Sequence, residues 1–518
     1  MTLPPCTSDG PQAVLPAVRS WPLHGTKASR QIEQAALAGA APHALMARAG
    51  LGVARLALAV APGARRIWVA AGPGNNGGDG LVAACHLHAA GCAVRVTLLG
   101  EPEHLPADAR LALSQAQQAG VAIESHLGDG DANADLAIDA LLGLGSSRAP
   151  QGALAEAVRR LNAGCAEVLA VDLPTGLCAD TGQRLGVGAH GLAVMAKHSL
   201  CLLTLKPGLF TAQGRDHAGR VWLDTLGLTL QDESASARLT GRNNLLNLLA
   251  ERAHAQHKGS FGDVLVLGGA PGMGGAALLA ARAALTAGAG RIYLARLDGD
   301  NQPDPQRPEI MPRQLAAALA PELLSRSTVV CGCGGGEAVR DLLPALLRHA
   351  GRLLLDADAL NALAADDALC GALQDRAARG QPSVLTPHPL EAARLLRIDT
   401  AQLQSQRLRH AQALADDLHV TLVLKGSGSV IAVPGQLPWI NSSGNARLGS
   451  GGSGDVLAGW LGGMWSQGLA SQSREMAAAA VWLHGCAAER GDLRQPLRAA
   501  DLIEAMSATL AALPPTAD

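Results

Sequence analysis

An aspartate stands where a glycine-rich turn brings backbone amides together, a setting that suits proton transfer. Near the C-terminus the chain reads Gly449-Ser450-Gly451-Gly452-Ser453-Gly454-Asp455. Val456, Leu457, Trp460, Leu461 and Met464 then recur at helical spacing, so the run opens a helix. Glycine admits positive φ, which lets successive N–H groups point at one spot. Converging amides at a helix N-terminus form an anion site. A carboxylate there is repelled by a bound phosphate, so its chemical use is to take a proton from a hydroxyl attacking the phosphoryl group. Asp455 is the candidate. A flexible loop with a capping aspartate is the plain alternative for this stretch taken alone.

In the first half three polar turns each follow an apolar run. Gly72-Pro73-Gly74-Asn75-Asn76-Gly77-Gly78-Asp79-Gly80 follows 67–71 and leads into a helix expected from about Leu81. It is neither GxGxxG nor a P-loop. Asp139-Ala140-Leu141-Leu142-Gly143-Leu144-Gly145-Ser146-Ser147-Arg148 is the second, and its glycines and arginine suit a diphosphate. Asp172-Leu173-Pro174-Thr175-Gly176 is the third, an acid at a strand end fixed by a nearby proline. Loops at the carboxyl ends of parallel strands are where α/β sheets bind ligands, so the three should meet in one crevice. Oxygens of Asn76, Asp139 and Thr175 suit a monovalent cation there.

The elements that must position these residues alternate. Strands are expected at 67–71, 94–99, 136–140 and 168–171, with helices at 83–90, 108–119 and 153–163. A second series of strands is expected at 264–267, 291–295, 328–331, 353–355, 383–386 and 422–424. Alternation of this kind means parallel sheets covered on both faces. The polar stretch 224–242, with Gln231-Asp232-Glu233-Ser234, breaks the pattern, so domains are expected at 1–228 and 229–518. The length of 518 residues is itself too great for one ordinary core.

Composition excludes several classes. With 48% hydrophobic and 17% charged residues the chain is globular. A net charge of −2 and 2% aromatics speak against nucleic acid or anionic membrane as partners. The ten cysteines form no CxxC pair, and Cys331 and Cys333 read as small buried residues, so free thiols and a reducing compartment are expected. The N-terminal 21 residues carry prolines at 4, 5, 11 and 16 and read as neither signal peptide nor anchor. The apolar stretch 276–289 contains Arg282 and Thr286 and reads as a buried helix. A cytoplasmic location and a homo-oligomer are expected.

The three turns of the first half resemble the epimerase domain of the NAD(P)H-hydrate repair enzymes, over about residues 25–225. The segment Leu45-Met46-Ala47-Arg48-Ala49-Gly50 is similar to that family's opening. The resemblance implies a Rossmann-like domain in which Asn75, Asn76, Gly77, Gly78 and Asp79, with Gly143, Leu144, Gly145, Ser146, Ser147, Arg148 and Ala149, contact the hydrated dinucleotide. It implies potassium on Asn76, Asp139 and Thr175, and Asp172 as substrate-contacting acid/base at the epimerised carbon. Thr175 replaces the usual serine and keeps the hydroxyl. Ala47 replaces a common acidic residue, so a packing or dimer contact is expected to differ.

The second half carries Lys258-Gly259-Ser260-Phe261-Gly262-Asp263, Gly268-Gly269-Ala270-Pro271-Gly272-Met273-Gly274-Gly275-Ala276, Pro308-Glu309-Ile310-Met311 and Cys331-Gly332-Cys333-Gly334-Gly335-Gly336. Asp356-Ala357-Asp358, Thr386-Pro387-His388-Pro389, Lys425-Gly426-Ser427-Gly428-Ser429 and the Asp455 run follow. Asp356 and Asp358 also suit the cap of a helix from about Ala359. The set and its order resemble the ADP-dependent NAD(P)H-hydrate dehydratases of ribokinase-like fold, over about 240–512. The resemblance implies that Ala276, Gly334, His388 and Asp455 contact the hydrated nucleotide. Lys425, Gly426, Ser427, Gly428, Ser429 and Gly454 would hold ADP or its AMP product, with Asp455 as catalytic base and magnesium present. Cys333 stands where the family has proline, so a less rigid loop is expected. The implied function is bifunctional repair of NADH and NADPH hydrates, epimerisation followed by ADP-driven dehydration. The alternative is a ribokinase-like vitamin-precursor kinase fused to a noncatalytic nucleotide-binding module.

Overall fold

Short apolar runs alternating with alanine-rich amphipathic stretches fold here as strands and covering helices. The computed structural model describes residues 10–513 apart from 129–132, 165–166, 187–190, 230–231, 247 and 249–251. The chain divides into two units, Met1–Arg238 and Leu239–Asp518. The division falls inside the polar stretch 224–242 but later than the expected 228/229. The polar run stays with the first unit because Ser236 donates its N–H to Leu23 O at 2.8 Å. Gln231, part of that run, lies outside the described residues, as do residues 1–9 of the proline-rich start.

In the first unit the strand order is Gln12–Ala13, Arg220–Asp224, His198–Leu202, Val168–Val171, Leu136–Ala140, Arg66–Ala71, Ala93–Leu98 and Ala122–Glu124. Every pairing is parallel except that of Gln12–Ala13 with Arg220–Asp224. The chain winds outward from Arg66–Ala71 in one direction and returns on its other side with Leu136–Ala140. That reversal opens a crevice between the two strands' carboxyl ends. The turns at 72–80 and 141–149 flank it. The helix after the first turn runs from Asn75 to Ala89, earlier than the expected start near Leu81. Asn75 to Gly80 are therefore helical, not loop. Close packing forces this: a Cβ on Gly77 would lie 2.1 Å from Gly72 O.

The second unit's strands run Ile310–Pro312, Arg291–Arg296, Asp263–Gly268, Ser327–Cys331, Arg352–Leu355, Ser383–Leu385, Thr421–Leu424, Val430–Ala432 and Trp439–Ile440. Pairing is parallel up to Thr421–Leu424 and antiparallel beyond it. The strand period of two sorts the core. Val264, Val266, Val330, Leu354 and Val423 face one apolar layer, while Leu265, Leu267, Val329, Leu353 and Leu422 face the other. Helix Ser453–Gln467 lies against Gly274–Thr286 so closely that a Cβ on Gly459 would meet Ala280 O at 2.0 Å. The sheet reverses between Asp263–Gly268 and Ser327–Cys331, which again places a crevice at their carboxyl ends. Among the described residues no single helix is long and apolar enough to cross a membrane.

Candidate active sites

The crevice of the first unit is a cavity of about 420 Å³. Asn75, Asn76, Asp79, Gly143, Leu144, Gly145, Ser146 and Asp172 line it. Gly77 and Gly78 do not. They are buried in the first turns of the helix, and Gly78 packs against Met46. Ser147, Arg148 and Ala149 are not among the lining residues either, and Arg148 instead offers its carbonyl to the Ser146 hydroxyl at 3.3 Å.

Asp172 ends its strand at φ 68, a left-handed conformation that costs a non-glycine residue about 1 kcal/mol or more. Its N–H donates to Leu200 O at 2.7 Å, which holds that geometry. Its carboxylate pairs with the Lys206 ammonium, and Lys206 is 1% exposed. Lys206 also donates to Leu202 O at 3.1 Å and Thr204 O at 2.9 Å, so its three protons are all directed. Burial, and then the charge of Asp172, raise Glu33 on the cavity wall. Burial, followed by the charges of Asp172 and Glu33, holds Asp79 well above the usual carboxylate range. The ammonium is paired with Asp172, and the two acids near it, Glu33 and Asp79, hold their protons more tightly than usual.

Next to these, Asp139 is fully buried and accepts from Thr175 Oγ1 at 2.7 Å and Thr175 N at 2.8 Å. Burial pushes its carboxyl up to about 6 despite those bonds. The Asn76 Nδ2 atom is buried without a hydrogen-bond partner. Turning the amide over would put its oxygen in that position. A buried carboxylate, a hydroxyl and an amide oxygen are a donor set that fits a monovalent cation.

In the second unit Asp455 lies in the first turn of helix Ser453–Gln467, behind Gly452 at φ 86. Lys425 Nζ donates to Asp356 Oδ1 at 2.6 Å, and Thr386 Oγ1 donates to the same oxygen at 2.7 Å. A Cβ on Gly454 would lie 3.4 Å from Lys425 Nζ, so the ammonium sits over the helix N-terminus. Amide dipoles and a fixed cation thus share one spot, as an anion requires. Burial first, then the Asp356 charge, pushes Asp455 up to about 6. Asp356 does not cap the helix Asp358–Ala364, which starts one residue earlier than expected. It is turned toward Lys425 instead. Asp358 accepts from Gly336 N at 2.8 Å.

His388 is the N-cap of helix Pro389–Leu396. Its Nδ1 accepts from Leu390 N at 3.1 Å and Glu391 N at 3.4 Å, and its Nε2 lies 3.1 Å from Glu391 Oε1. The two prolines place it as a cap, and only its exposed edge is left for a ligand. Gly334 and Ala276 are neighbours, since a Cβ on Gly334 would lie 2.9 Å from that of Ala276. The loop at Cys333 is tied rather than loose: Cys333 O accepts from Gly269 N at 3.0 Å and Gly334 O from Ala270 N at 2.7 Å. Ser429 Oγ closes its turn onto Gly426 O at 3.2 Å, while Gly426 and Ser427 are exposed.

Sequence reasoning missed Lys206, Glu33 and Arg407, and it reaches Glu391 only as the end of the motif Thr386-Pro387-His388-Pro389-Leu390-Glu391, without a role. Arg407, 2% exposed, donates to Lys425 O at 3.2 Å and braces the turn at Gly426. Burial lowers its guanidinium to about 10. Burial raises Glu391 to about 7. A lysine inside the apolar run 200–209, directly before Pro207-Gly208, was the available signal for Lys206. Glu33 and Arg407 sit on ordinary amphipathic helices and carry no signal of their own.

Two α/β units, each with acids and an ammonium at the carboxyl edge of a parallel sheet, define a nucleotide-handling enzyme class. Residues 264–508 match the family described as NAD(P)H-hydrate dehydratase, and residues 42–208 match the family described as YjeF-related protein N-terminus. The chain is 35% identical to a bifunctional NAD(P)H-hydrate repair enzyme of Coxiella burnetii, over 90% of this chain and 94% of that one. It is also 35% identical to the Escherichia coli bifunctional NAD(P)H-hydrate repair enzyme, over 88% of this chain and 87% of that one. An ADP/ATP-dependent NAD(P)H-hydrate dehydratase from Bacillus subtilis, co-crystallised with ATP and Mg2+, is 26% identical, with a TM-score of 0.42 over 52% of this chain and 95% of that one. The chain belongs to the bifunctional NAD(P)H-hydrate repair enzyme family.

Proposed function

We propose that the first unit interconverts the R and S hydrates of NADH and NADPH and that the second dehydrates the S form at the expense of ADP. Asp455 carries this reading: a half-buried acid in the first turn of a glycine-opened helix, beside an ammonium that another acid holds. Asp455 takes the proton from the substrate hydroxyl, which attacks the β-phosphorus of ADP. AMP leaves. The amides at Gly452–Gly454 and the Lys425 ammonium stabilise the transferring charge. Phosphate is a far better leaving group than hydroxide, so elimination restores the dihydronicotinamide double bond. The products are NAD(P)H, AMP and phosphate. Asp356 Oδ2, which faces Gly454, is an oxygen donor that fits magnesium entering with the nucleotide. Magnesium supplies charge neutralisation for phosphoryl transfer. Lys425 to Ser429 and Gly454 hold the adenine nucleotide, and Ala276, Gly334 and the exposed edge of His388 face the hydrated ring.

In the first unit Asp172 serves as acid/base at the epimerised carbon, with the dinucleotide held by Asn75, Asn76, Asp79 and Gly143 to Ser146. Asn76, Asp139 and Thr175 hold potassium, which supplies charge balance for the buried Asp139 carboxylate. The free thiols among the described cysteines fit a reducing, cytoplasmic setting. We expect a homo-oligomer acting on small molecules alone. The kinase alternative is not favoured, because relatives matched along about nine-tenths of this chain are named as bifunctional repair enzymes.

The test is absorbance at the dihydronicotinamide band with mixed R and S NADH hydrate. ADP should give complete recovery of NADH with AMP formed, and omission of nucleotide should give none. Recovery that stops at the S fraction would remove the epimerase assignment. No recovery with ADP or ATP would remove the dehydratase assignment.

A further inference from the structure

The thiol of Cys333 lies inside the acid cluster of the second unit. Strands Ser327–Cys331 and Arg352–Leu355 are paired with Cys331 opposite Leu355, so the residues just beyond them emerge side by side. Cys333 and Asp356 are the result, at 0% and 2% exposure. Asp455 meets them from the helix above the same edge. Cys333 Sγ and one oxygen from each of the two carboxylates lie within 4.8 Å of one another. Acids outnumber the ammonium here: Asp356 and Asp358 bear on both Glu391 and Asp455, and Lys425 bears on the same two. Lys425 and Thr386 occupy Asp356 Oδ1, whereas Asp356 Oδ2 points toward Gly454 and the shared space.

A thiolate with two carboxylate oxygens is a three-ligand set for a borderline or soft divalent ion, with a fourth position open. Ligand atoms in a tetrahedral zinc site lie about 3.5 Å apart, so rotation of the side chains by about an ångström closes this one. Magnesium, which takes octahedral oxygen, gains nothing from the sulfur. We propose that Cys333, Asp356 and Asp455 form a site for one thiophilic divalent cation, of the zinc and cadmium class, and that its occupancy reversibly shuts off dehydration. Binding replaces the thiol proton with the metal and releases that proton to solvent. It also ties up the Asp455 oxygen that would accept the substrate proton. The inhibitory half therefore rests on the reading of Asp455 as the base, whereas the binding half does not.

The experiment titrates the nucleotide-free full chain with Cd2+ and follows the ultraviolet thiolate-to-cadmium absorption. One equivalent per chain is expected in the wild type beyond that seen in Cys333→Ser. Zn2+ should displace it, and Mg2+ should not. Cys333→Pro should match Cys333→Ser, and Asp455→Asn should bind Cd2+ at least tenfold more weakly while keeping the thiol. Identical titrations of wild type and both Cys333 variants would overturn the site, as would unchanged affinity in Asp455→Asn. Dehydration by each chain, normalised to its own zinc-free rate, should be at least tenfold more resistant to Zn2+ in the Cys333 variants. Cys333-dependent cadmium binding without zinc inhibition would keep the site and remove Asp455 from the role of base.

Discussion

The buried lysine of the first unit pairs with the aspartate that faces its cavity, Asp172. In the second unit the lysine pairs with Asp356, and the aspartate at the helix N-terminus, Asp455, is left beside a thiol. Pairing fixes a carboxylate in its charged form, whereas burial without a pair raises its affinity for a proton. The two acids are thus prepared for different tasks. Asp172, the acid/base proposed for the epimerised carbon, is held in place by the buried Lys206 ammonium. Asp455, the base proposed for the substrate hydroxyl, is pushed up to about 6 by burial and the Asp356 charge.

The largest effects should separate the two units completely. Asp455→Asn should lower dehydration about 10²- to 10⁴-fold while leaving epimerisation intact. Asp172→Asn should do the reverse, with separate assays for epimer exchange and NADH recovery as the check. Next come the lysines. Lys206→Met strands a carboxylate beside a 1% exposed position and should cost about 3–5 kcal/mol in denaturant unfolding. Lys425 is 18% exposed and Thr386 still serves Asp356, so Lys425→Met should cost less. Equal costs would break the contrast.

Much of this was legible in the sequence, for identifiable reasons. The strands are short apolar runs closed by a glycine such as Gly72 or Gly332 or by a polar residue such as Asp172 or Asp356, so their positions and the parallel sheets follow from period and punctuation. The glycine-opened helix at Ser453 was readable because its amides need those glycines. The turn at Asn75 was misjudged because glycine and asparagine ordinarily mark loops. Here they form a helix whose first turns touch Gly72 and Met46, and only small residues fit. Lys206, Glu33 and Arg407 reach their sites through tertiary contacts far along the chain. Single residues on apolar or amphipathic runs do not announce such contacts.

Acidity should sharpen the contrast at smaller amplitude. With Asp455 raised to about 6, kcat/KM for dehydration should fall as pH drops below about 6. The same shift has a stability consequence. A carboxyl with a raised folded-state pKa contributes stability that is full below its ordinary value near 3.8 and is lost as pH rises through about 6. At pH 7 the ionised Asp455 is therefore a liability. Asp455→Asn should raise the unfolding temperature by a few degrees there and lose that gain by about pH 4, on a scale of about 1–2 kcal/mol. Smallest is the hydroxyl at Asp139: Thr175→Ser should keep potassium-dependent epimerisation, and Thr175→Val should lose the potassium response.

The most direct test of two independent acids in one chain is a mixing experiment. Mixed R and S NADH hydrate with ADP is given to Asp172→Asn, to Asp455→Asn, and to equal amounts of both, and NADH absorbance is followed to its end point. The expected result is recovery of the S fraction alone, no recovery, and complete recovery, in that order. Complete recovery by Asp172→Asn alone, or failure of the mixture to exceed the S fraction, would contradict the account.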